Sequence, residues 1–120
     1  MLHYAAVKVA DIERSGRFYD SILAPLGWRR QEDGETTVSW GFNKPEFYVT
    51  LAESQRPGYG IVSFPARSIP AVKASYESGM ANGGESAAEP GSQPAFGSGN
   101  YAARMLDPDG YEVELIVAPS

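Results

Sequence analysis

An α+β fold made of two tandem β-α-β-β-β modules is the architecture this 120-residue sequence predicts. Two observations carry the prediction. An alternating strand turns helical after Asp11 and is followed by three more strand patterns, and the same order then recurs after about residue 58. Placing Asp11 over Ser68 also puts Tyr19 over Tyr76, Val7 over Phe64 and Tyr4 over Ile61, each pair 57 positions apart (68 − 11, 76 − 19, 64 − 7, 61 − 4). Module one is expected over about residues 1–54 and module two over about 58–120, together forming a single domain.

The elements follow in order. "YAAVKVA" alternates as a strand. Asp11 is placed to cap a helix carrying Ile12, Tyr19, Ile22, Leu23 and Leu26, which Pro25 and Gly27 end. "WRRQEDGETTVSWGF" reads as a hairpin, with Asp33-Gly34 expected in a type I′ turn. Asn43-Lys44-Pro45 makes another turn before the strand "EFYVTLA", and "ESQRPGYG" reads as a linker. "GIVSF" is the second opening strand. Ser68 can cap a helix with Ile69, Val72, Tyr76 and Met80, Pro70 is tolerated in its first turn, and Gly83-Gly84 stop it. "GESAAEPGSQPAFGSGN", residues 84–100, is expected as a long loop with a short strand near Ser86 to Ala88, and as a lid it would bring Phe96 over a pocket. "YAARML" and "YEVELIV" form the closing hairpin. Pro108-Asp109-Gly110 suits a type I turn with a left-handed glycine, which sets Asp107 opposite Tyr111 and Arg104 opposite Glu114.

Composition removes several function classes. A net charge of −5, a pI near 4.8 and ten scattered basic residues argue against nucleic acid as a partner. The absence of cysteine excludes disulfides and thiolate chemistry. No apolar run approaches the roughly 20 residues of a membrane span, and the N-terminus has no secretory core, so a cytoplasmic location is expected. There is no P-loop or GxGxxG run, and a single histidine, His3, makes a Ser-His-Asp triad improbable.

"VKVADIERSGRFYDSILAPLGW", "ARSIPAVKASYESGMANGG" and "YAARMLDPDGYEVELIV", taken together and in this order, resemble the vicinal oxygen chelate superfamily of glyoxalase, bleomycin-resistance and extradiol dioxygenase proteins. The resemblance implies a curved, cavity-containing mixed sheet with helices on its outer face, and a homodimer. It also implies a divalent metal (Zn, Ni, Mn or Fe) held by His, Glu or Gln from the first and last strands of each module. On the matching positions stand Tyr4, Ile61 and, on "EFYVTLA", Tyr48 or Thr50; Glu114 alone matches a family ligand. His3 alternates to the other face from Tyr4. One carboxylate is too few, since open catalytic sites use about three protein ligands.

The expectation is therefore a degenerate metal site with no cofactor and a cavity that binds a small molecule without metal. Tyr4, Lys8, Trp40, Tyr48, Ile61, Phe96, Arg104 and Glu114 are its candidate residues, with Arg104 paired to Glu114 in place of the metal charge and orienting an anionic or carbonyl group. Lys8, on the face of Tyr4, is a second cation. The alternative is a divalent-metal-dependent lactoylglutathione lyase-like or dioxygenase-like enzyme using His3, Glu112 and Glu114.

Overall fold

The computed structural model describes residues 5–52, 61–92 and 101–117. Strand β1 (Ala5–Val9) leads into helix α1 (Ile12–Leu23), a 3-10 turn (Ala24–Leu26) and strands β2 (Arg29–Asp33), β3 (Thr37–Gly41) and β4 (Phe47–Leu51). The order then repeats as β5 (Ile61–Ala66), α2 (Ile69–Ala81), β6 (Glu85–Ser92), β7 (Tyr101–Leu106) and β8 (Glu112–Val117). Two mixed four-stranded sheets result, ordered β1-β4-β3-β2 and β5-β8-β7-β6, and in each the first strand runs parallel to the last. The linker "ESQRPGYG", His3, Tyr4 and Phe96 lie outside the described residues.

The two helices start alike, because both caps supply an acceptor to an otherwise unpaired N–H. The Asp11 side chain accepts from the N–H of Arg14, and the Ser68 side chain accepts from that of Ala71. Each helix packs on its own sheet and the helices pack on each other. Gly79 is what lets them approach: a Cβ there would sit 2.7 Å from Ile22 of α1 and 2.5 Å from the sulfur of Met105 on β7. Beside it the buried Ser75 hydroxyl donates to the Ile22 carbonyl.

One apolar core joins the modules. Phe64, from β5 of module two, lies edge-on to Phe47 at 5.0 Å and to Trp28 at 5.5 Å, both in module one, with Tyr19 beside them. The faces of the two sheets turned away from the helices carry the half-buried and exposed residues.

Two local expectations are corrected. The β2–β3 connection is a three-residue loop, Gly34 to Thr36, and Gly34 has no positive φ, so there is no type I′ turn. Gly34 instead donates its N–H to the Thr37 carbonyl at 2.8 Å. The segment after Gly84 is an eight-residue edge strand, β6, where only a short strand near Ser86 was expected. Two register shifts allow that edge to contain Pro90.

Candidate functional site

The register of the second sheet sorts its open face into three rows across β5, β8, β7 and β6. They are Ile61–Glu112–Leu106–Glu85, Ser63–Glu114–Arg104–Ala88 and Pro65–Ile116–Ala102–Gly91. The intervening residues Met105, Val113 and Leu115 are buried in the core. Alternation thus puts both acids of "YEVELIV" on the face away from the helices, which explains how an otherwise apolar strand carries them.

The middle row holds the polar centre. Glu114 accepts a hydrogen bond from the Ser63 hydroxyl at 2.7 Å. Arg104 stands directly across the ladder from Glu114, as the turn geometry predicts. Its ion pair, however, is made diagonally with Glu112, a correction to the expected Arg104–Glu114 pair. Arg104 reaches along the strand to the next row, while Ser63 from the opposite neighbour holds Glu114. Both members of the Arg104–Glu112 pair are largely shielded from solvent, so salt screens it less than an exposed surface pair.

On the first sheet, Lys8 stands opposite Thr50, and Tyr48 opposite Ala6 and Ser39, all on the open face. Trp40 does not join them. It pairs with Phe47 and is 1% exposed, with its indole N–H donating to Asp20 and its ring beside Tyr19. Its candidacy as a lining residue is therefore corrected: it belongs to the core. Ile61 is 60% exposed at the start of β5.

Among the described residues, the donor set does not suit the divalent metal that the resemblance implies. Isoleucine has no lone pair to offer at position 61, and Tyr48 and Thr50 are neutral, weak donors. Among the described residues no three His, Cys, Asp or Glu side chains converge. A depression of about 820 Å³ lies elsewhere, between the start of α1, the β2–β3 loop and Leu51. Asp11 there caps α1, and Arg30 and Asp33 pair with each other.

The turn after β7 has a role that motif reading missed. Asp107 Oδ1 accepts the N–H groups of Asp109 and Tyr111, and Oδ2 accepts the Tyr19 hydroxyl at 2.5 Å. Asp109 accepts from the Ala10 N–H at 3.0 Å, the Ser15 hydroxyl at 3.1 Å and Arg14 at 3.3 Å. Tyr111 completes the contact by accepting the Lys8 N–H through its hydroxyl at 3.3 Å. "DIERSGRFYD" and "DPDGYE" are therefore two halves of one fastening between the modules. Gly110, at φ 94°, closes the turn in the left-handed region as expected. The available signal was a pair of aspartates in a turn whose geometry calls only for proline and glycine.

Burial raises the Asp107 carboxyl above its ordinary value of 3.8, and the Asp109 charge adds to this; the bonds from Tyr19, Tyr111 and Asp109 offset part of the rise. Burial, reinforced by Asp107, holds the Tyr19 phenol well above 10, so it remains a neutral donor. Because the folded carboxyl value is raised, Asp107 contributes most below 3.8, and that contribution is lost as pH rises through its folded value. Relative to Asp107→Asn, which does not titrate, wild type should gain stability between pH 7 and pH 4. Urea midpoints of both proteins across that range measure the gap, and a gap moving against wild type would contradict the assignment.

Comparison with known proteins agrees with this geometry. No family model matches the chain. An uncharacterized Bacillus subtilis protein, YqjT, is 30% identical over 99% of both chains. A lactoylglutathione lyase of Haemophilus influenzae is 27% identical, covering 94% of this chain and 89% of its own. Among solved structures, a glyoxalase/bleomycin resistance protein from Albidiferax ferrireducens superposes with a TM-score of 0.82 at 27% identity, over 99% of each chain.

Proposed function

The chain belongs to the vicinal oxygen chelate superfamily, and from that premise we propose that it binds a small molecule, without metal, on the open face of its second sheet. The observation that carries the reading is the state of Glu114, the one residue matching a family ligand. It is held by Ser63 and faces Arg104, while Ile61 occupies the ligand position on the first strand of the same module. The fixed charge of Arg104 takes the place a metal charge has in the family's enzymes. Arg104, Glu114 and Ile61 are the site residues from this sheet, with Lys8 and Tyr48 contributed by the open face of the first. Tyr4 and Phe96 complete the proposed set.

The test is to map aromatic fragments onto the ¹⁵N-labelled protein in the presence of a chelator. Saturable shifts should cluster at Ser63, Arg104 and Glu114. Shifts that arise only when a divalent metal is added would overturn the proposal. We further propose a cytoplasmic homodimer; light scattering at micromolar concentration should return twice the 12.9 kDa chain mass, and a monomer mass would refute the dimer.

A further inference from the structure

We infer that the β7–β8 turn closes the free edge of β1, and that this edge, once uncovered, pairs with the same edge of a second copy of the chain. The inference does not depend on the binding reading above. Among the described residues β1 ends its sheet, with β4 as its neighbour. Val9 turns its carbonyl toward the β4 side, where it accepts the Ala52 N–H at 2.8 Å. Alternation then points the N–H groups of Lys8 and Ala10 outward. The turn takes both: the Tyr111 hydroxyl accepts from Lys8 at 3.3 Å, and Asp109 Oδ1 accepts from Ala10 at 3.0 Å. The donors that an added strand needs are thereby occupied.

The outer strands β2, β5 and β6 carry devices of their own. β2 has a register shift between Arg30 and Glu32. β6 contains Pro90 and two register shifts. β5 contains Pro65, which has no N–H to offer an added strand. Pro65 stands 57 positions after Lys8 (65 − 8), the same offset that aligns the two modules. Proline therefore does at that position of module two what Tyr111 does for module one. β1 has neither a proline nor a register shift; it runs level with β4 over all five residues and is apolar except for Lys8. A regular, mostly apolar edge is one that another strand readily joins. With that edge covered, the homodimer proposed above uses a different surface.

Asp109→Ala with Tyr111→Phe removes both acceptors, and light scattering of the full chain over a concentration series reads the association. The mass should rise toward twice that of wild type, because two identical edges pairing about a twofold axis close on themselves. Adding Lys8→Pro, which removes the N–H as Pro65 does, should return the mass to the wild-type value. Lys8→Ala keeps the N–H and should not. Destabilisation alone predicts the reverse, since proline in a strand adds to it. In Tyr111→Phe the Lys8 amide should exchange with solvent about fivefold faster, the scale of one neutral hydrogen bond. If the double variant fails to fold, Tyr111→Ala, which clears the ring from the edge and leaves Asp109 in place, decides by the same mass and the same rescue. A folded variant with wild-type mass, equal effects of Lys8→Pro and Lys8→Ala, or an unchanged Lys8 exchange rate would each overturn the inference. So would a wild-type mass lowered by Lys8→Pro, which would show the edge already in use.

Discussion

Asp109→Ala should cost about 3 kcal/mol of folding stability, the scale of removing one partner from a largely buried polar network. The Asp109 side chain is 6% exposed and serves the Ala10 N–H, the Ser15 hydroxyl and Arg14 together. Removing it orphans a backbone donor and a hydroxyl beneath the turn. Arg14 is 43% exposed and can turn to water, so the ion pair itself supplies only a small part of the loss. Urea denaturation would show a lower midpoint at nearly unchanged slope. A midpoint within error of wild type would mean that the fastening contributes nothing to stability.

Phe64→Ala should be at least as damaging, at about 3–5 kcal/mol, because a large aromatic is removed from a site that cannot collapse freely. Phe64 is 2% exposed and is the module-two ring that meets Tyr19, Trp28 and Phe47. Phe64→Leu keeps most of the volume and should cost less than half as much. Thermal denaturation of the pair would separate cavity formation from a general intolerance of change at that position. Equal losses in both variants would contradict the packing account.

Much of the fold was legible in the sequence because its strongest local signals agree with the packing. Asp11 and Ser68 cap the helices as read, Gly83 and Gly110 take positive φ, and the closing turn sets the register that places Arg104 opposite Glu114. The side-chain arrangement was less legible. Register fixes which residues are level across a ladder, but a long arginine can choose a diagonal acid, and Arg104 takes Glu112. Trp40 was misplaced for a different reason. Four consecutive residues, Val38 to Gly41, are buried, so β3 lacks the alternation that would have told its two faces apart. The fastening was missed because its partners, Tyr19 with Asp107 and Ser15 with Asp109, are separated by 88 and 94 positions in the chain.

The central claim is that Glu114 faces a guanidinium where the family's enzymes hold a metal. Metal retention tests it most directly. Tag-free protein would be exposed to zinc, nickel, manganese and iron(II), dialysed, and assayed by elemental mass spectrometry. The account predicts no ion retained near one equivalent, in wild type or in Glu114→Ala. Near-stoichiometric retention of one ion, lost in Glu114→Ala, would contradict it and direct the next assays to lyase and dioxygenase chemistry.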